Sequence, residues 1–200
     1  MPYGGQAKRL GLTLLAACGP GARSAYPFLL ATARSDSDYE MRSLAIAALG
    51  ALGPAARQSA PFLKLTLQNP AEWPMVRGAA ACSLAAIAPD DKATSALLQL
   101  ALTDKAAMVR TRAADALWRL GTPSDNLLPV LADSLTHKLA SVRCASLTAL
   151  AHMGRAALPT RDAVQDLLLD ERVEVRWRAT VALSRMGLPA TPGLTELRRR

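Results

Sequence analysis

Side chains able to attack a carbon or hold a metal are few in this 200-residue chain, and they are scattered. Cys18, Cys82 and Cys144 form no Cys-x-x-Cys pair, and His137 and His152 are followed by Lys138 and Met153 rather than by further ligands. A metal centre needs several such groups converging, and a nucleophile needs a base beside it. No glycine-rich phosphate loop, His-Glu-x-x-His helix or nucleophile elbow accompanies them. The sequence implies no catalytic residue, no cofactor and no metal ligand. What spacing does arrange is guanidinium. Val76-Arg77, Val109-Arg110, Val142-Arg143 and Val175-Arg176 stand 33 residues apart, with Met41-Arg42 35 before the first. Each fork carries five donors in a fixed plane, a shape that suits carboxylates and carbonyls.

The elements holding these arginines follow from the residues around them. After Arg110, apolar residues fall at Ala113, Ala116, Leu117 and Leu120, which with Val109 make the stripe of an amphipathic helix. Gly121-Thr122-Pro123-Ser124 ends it by turn chemistry. A second stripe at Leu127, Leu128, Leu131 and Leu135 is again helical. Each unit therefore reads as two helices, A and B, of about ten to thirteen residues each. Pro20, Pro54 and Pro89 recur just after helix A; Pro27, Pro61 and Pro129 recur near the start of helix B, where proline is tolerated. Half the residues are apolar but only 4% are aromatic, so Ala and Leu must fill the core, and the class is all-α.

The offsets give about six stacked hairpins over residues 1–200, in units of approximately 4–37, 38–70, 71–104, 105–138, 139–170 and 171–200. Neither helix of a unit can bury its stripe alone, so neighbours must supply the core. Units reading D-x4-VRxxAxxALxxLG, most faithfully at Asp104…Val109-Arg110 and Asp170…Val175-Arg176, resemble HEAT repeats of the short form found in phycobilisome-lyase-type and many bacterial proteins. The resemblance implies a right-handed α-solenoid with A helices on the convex side and B helices on the concave side. It also implies that Arg42, Arg77, Arg110, Arg143 and Arg176 form a structural ladder with acidic side chains and backbone of neighbouring units. Of the enzymes sharing the repeat, deoxyhypusine hydroxylase needs His-Glu pairs that this chain lacks. DNA-glycosylase-like and phycobilin-lyase-like activities remain as alternatives, with no site residue of either found here.

The net charge of +8 admits a nucleic-acid partner. The expected concave positions argue otherwise, because Lys64 and Gln99 share that surface with Asp133, Asp162, Gln165 and Asp166. On a helical wheel Thr111, Asp115 and Trp118 point away from the core stripe, as do Trp177 and a series of Ala, Gly, Ser and Cys in other units. Trp118 and Trp177 are thus a candidate convex interface, or they lean over neighbouring turns. Gly193–Arg200 is short and polar enough for a crude cap.

The leading expectation is a protein-interaction scaffold whose partner is another protein or another domain of a longer chain, with nucleic acid second. No apolar run is long enough to span a membrane. Leu15-Ala16-Ala17-Cys18 resembles a lipoprotein signal ending in Cys18. Residues 7–22 align without gaps to 41–56 as another repeat, which a signal peptide has no reason to copy, so a cytoplasmic protein is expected, with a bacterial lipoprotein through Cys18 the alternative.

Overall fold

The computed structural model describes residues 3–189, and among these every regular element is helical. The chain divides into two compact units, Met1–Leu120 and Gly121–Arg200. The first holds α1 (Tyr3–Cys18), α2 (Tyr26–Ser35), α3 (Tyr39–Ala51), α4 (Ala60–Gln68), α5 (Pro74–Ile87), α6 (Lys92–Ala101) and α7 (Ala107–Arg119). The second holds α8 (Leu128–Leu135), α9 (Ala140–Met153), α10 (Arg161–Asp166) and α11 (Val173–Met186). Helices α1, α3, α5, α7, α9 and α11 are the A helices and the others are B helices. The architecture is an all-α solenoid. The expected polar cap at Gly193–Arg200 lies outside the described residues.

The punctuation between A and B is more elaborate than a turn. Gly53 adopts φ 62°, a left-handed conformation that only glycine enters cheaply, and Pro54 follows it. The chain then runs through a seven-residue 3-10 turn, Gly53–Ser59, before α4 begins. Its Ala56 is fully buried, so the turn plugs the core from one end. Gly19–Ala25 and Gly154–Thr160 repeat this form, burying Ala22 and Ala157. The 3-10 lead-in uses residues that sequence reading gave to the helices. Helices α4, α8 and α10, with nine, eight and six residues, are shorter than expected, whereas α2 and α6 have ten each.

Packing within the first unit is asymmetric. Each A helix lies directly on the next A helix, and each B helix approaches most closely the A helix that follows it. The B helices α2, α4 and α6 barely meet one another. The tight A row is possible because its facing residues are small. A Cβ on Gly50 would lie 2.5 Å from Ser83 Oγ and 3.0 Å from Ser83 Cα, and a Cβ on Gly78 would lie 2.9 Å from Arg112 Cγ. The Ser83 hydroxyl donates to the Ile46 carbonyl at 2.8 Å, tying α5 to α3 in one register.

This packing corrects the outward face expected from the helical wheel. Thr111 and Asp115 are buried, with 0% and 2% exposure. Their equivalents Gly50, Gly78 and Ala85 are buried too. Gly50 and Gly78 lie in the seam where one A helix meets the next, whereas Ala47, Trp177 and Ser184 of the same expected face are exposed. A helix between two neighbours of its own row buries more than one stripe, and a single-stripe reading cannot detect that.

Candidate functional site

The arginines sit at the start of each A helix and use their forks in a repeated way. Arg42 Nη1 donates to the carbonyls of Asp36 and Ser37 at 2.8 and 3.3 Å, while Nη2 reaches Glu72 at 2.7 Å, one repeat onward. Arg143 does likewise: Nη1 binds the carbonyls of His137 and Lys138, and Nη2 donates to Asp170 Oδ1 at 2.9 Å. Arg77 donates to Asp104, and Arg110 Nη1 donates to the Asp104 carbonyl at 3.0 Å. Arg176 Nη1 takes the carbonyls of Asp170 and Glu171 at 2.9 and 3.1 Å.

The aspartate six residues before an arginine thus acts three ways at once. The Asp104 carboxylate accepts from Arg77 of the preceding repeat and from the Ala106 backbone N–H of its own loop, while its carbonyl serves Arg110. Asp170 repeats this with Arg143, the Arg172 N–H and Arg176. The 35-residue spacing between Arg42 and Arg77 has a local cause. Asn69 replaces the loop aspartate, accepting from the Ala71 N–H, and Glu72 supplies the carboxylate instead. The same longer loop brings Trp73 onto Tyr39, rings stacked at 4.6 Å, a pairing the sequence reading missed.

The two tryptophans of the candidate interface differ. Trp118 is half-buried, whereas Trp177 is 62% exposed with the Arg178 guanidinium 5.8 Å from its ring centre. Arg178 also donates to Thr148 Oγ1 at 2.8 Å, linking α11 to α9.

On the B helices, Lys64 is half-buried and paired with Asp91, while Gln99 is exposed. Aligning the buried residues Leu29, Leu63 and Leu98 puts Ala31, Leu65 and Leu100 at one equivalent position in α2, α4 and α6. All three are exposed, Leu65 by 69% and Leu100 by 70%, and Phe28 is exposed nearby by 49%. Lys64 and Gln99 each lie one residue before this row. The expected concave positions do not include these leucines, because hydropathy alone cannot say which leucine of a Leu-x-Leu run points inward. In the second unit the positions equivalent to Leu65 and Leu100 are Asp133 and Asp166, which face solvent together with Asp162 and Gln165.

No group of three or more metal-ligating side chains occurs among the described residues. Cys18 is exposed at the end of α1. Burial pushes the Cys82 thiol up to about 11, with its S–H 3.6 Å from the Arg112 carbonyl. Burial also raises the Cys144 thiol. Thiolate is the reactive form, so a maleimide at pH 7 is expected to modify Cys18 within minutes and leave Cys82 intact until denaturant is added. Intact mass and peptide mapping read the order; rapid loss of the Cys82 thiol in the native chain would contradict this burial.

Among the described residues no helix is long and apolar enough to cross a membrane. Residues 26–118 match the family model for HEAT repeats. Two solved structures, both described as crystal structures of an engineered protein, resemble the chain. One is 21% identical over 90% of each chain with a TM-score of 0.48; the other is 20% identical, with a TM-score of 0.46, over 89% of this chain and 53% of its own. No curated protein matches. HEAT repeats fit a scaffold for protein interaction in general. With its alternating A and B helices joined by a recurrent arginine and glycine register, this chain is a HEAT-like repeat protein.

Proposed function

We propose that this chain is a non-catalytic scaffold that binds another protein, or another domain, through the B helices of its first unit. The observation that carries this reading is the exposure of Leu65 and Leu100 at one register position, with Phe28 close in sequence register. Single exposed leucines are ordinary, but a row repeated from helix to helix is a patch. Covering one such side chain is worth about 1.5–3 kcal/mol. The arginine series belongs to the frame in this reading, since its forks are turned to loop carbonyls and carboxylates. The 33-residue offset runs unbroken through the sequence from Arg77 to Arg176, which supports one array over residues 1–200.

A pull-down from source lysate tests it, using the full chain and a Leu65→Asp/Leu100→Asp variant, with nuclease and high salt in parallel. A defined protein retained by the wild type through both treatments and lost with the variant is the expected result. Recovery of nucleic acid alone, disappearing as salt rises, would turn the function to the nucleic-acid alternative.

A further inference from the structure

We infer that the ligand of this row is an acidic amphipathic helix; the inference rests on the binding surface proposed above and adds the chemistry of its partner. Charge around the row is unbalanced in one direction. Asp90 is paired with Arg57 and Asp91 with Lys64, so the carboxylates entering α6 are already neutralised. Three cations of the same helices and their lead-in turns have no carboxylate partner among the described residues: Arg23, Arg34 and Lys92. Arg34 stands 5.2 Å over the Phe62 ring, which lies three residues before Leu65 on α4. Arg23 lines a shallow cleft with Ser24, Tyr26, Pro27 and Gln58, at the end of α2 that carries Phe28. A ligand with apolar residues along one side and carboxylates flanking them meets both features together.

The spacing fits a helix. The B helices barely meet one another, so they stand at least as far apart as packed helices, about 8–10 Å. Two turns of an α-helix advance about 10.8 Å. Leucines at i and i+7 of a ligand helix laid across the row would therefore meet successive B helices, with i+3 and i+4 between them. An extended strand would present alternate side chains on opposite faces and would waste half of them.

The test uses labelled 18-residue peptides and the full 200-residue chain. One peptide carries Leu at i, i+3, i+4 and i+7 spacing with Glu flanks; a second has Lys for every Glu; a third keeps the first composition with its leucines scattered. Anisotropy titrations are run at low and moderate salt. The acidic amphipathic peptide is expected to bind at least ten-fold more tightly than either control. Its affinity is expected to drop about ten-fold in Arg23→Glu/Lys92→Glu and again in Leu65→Asp/Leu100→Asp. Should the aspartate variant lose helical circular dichroism, Leu65→Ser/Leu100→Ser replaces it. Equal binding of the basic or the scattered peptide would overturn the inference, as would preferential binding of a single-stranded oligonucleotide. A lysate partner that depends on Leu65 and Leu100 while the acidic peptide fails to bind would leave the surface standing and remove only the acidic-helix chemistry. Loss of both would remove both.

Discussion

Replacing Asp170 with alanine is expected to destabilise the chain by about 3–5 kcal/mol, the range for breaking a buried ion pair from one side. The Asp170 and Arg143 side chains are 7% and 8% exposed, and Nε of Arg143 lies 2.8 Å from Oδ2. Removing the carboxylate leaves the guanidinium buried and also strips the Arg172 N–H of its acceptor. Glu171 stands 3.8 Å from the same arginine but is 80% exposed. Its replacement should therefore change stability by no more than about 0.5 kcal/mol. Urea unfolding followed by circular dichroism separates the two, and similar losses for both would contradict the buried pair. Arg143→Met/Asp170→Leu should recover part of the loss, because a neutral packed pair carries no desolvation penalty. The same group gives a pH signature. Burial alone would raise the Asp170 pKa, but the hydrogen bonds from Arg143 and the Arg172 N–H outweigh it and hold the carboxyl below its ordinary value. The folded chain then binds fewer protons there than the unfolded chain. Its stabilisation is fully present above about pH 4 and lost as pH falls through the lowered value. Asp170→Asn should flatten that acid limb.

The second large effect is expected at Gly50. Gly50→Ala places a methyl 2.5 Å from Ser83 Oγ and 3.0 Å from the backbone Cα, and neither can swing away without breaking the bond to Ile46. Helices α3 and α5 must separate, and overpacking of this kind costs about 1–3 kcal/mol. Gly78→Ala is the control. Its nearest obstacle is Arg112 Cγ at 2.9 Å, part of a flexible side chain. Alanine is also better in a helix than glycine by about 1 kcal/mol. Thermal unfolding should show Gly50→Ala melting several degrees lower and Gly78→Ala close to wild type. Equal shifts would mean that the seam yields as easily at a backbone contact as at a side chain.

These contrasts show what was legible in the sequence. Val109, Ala113, Ala116 and Leu117 are fully buried, so the core stripe of an A helix can be read from its period alone. Pro27, Pro61 and Pro129 mark the first turns of α2, α4 and α8 because proline has few other places in a helix. The seam could not be read the same way. Gly50 and Gly78 look like solvent-facing small residues until the next helix of the same row is placed against them. Asp115 points away from the core stripe on a helical wheel, yet it is covered and accepts from Arg119 at 3.0 Å. The exposure of Leu65 and Leu100 could not be read from the sequence either. Each lies within a leucine-rich run in which only Leu63, Leu67 and Leu98 point inward, and backbone phase rather than composition decides which.

The uneven fastening of the first unit has a mechanical consequence. Its A helices share one fixed edge, pinned by Ser83 on Ile46, while each B helix is anchored chiefly to the A helix after it. Widening the gap between α4 and α6 breaks little direct packing, so it draws on bending at the pinned edge, where stiffness is high and displacement small. The free edge can follow a ligand of slightly longer or shorter pitch at low elastic cost, as the ribs of a fan do.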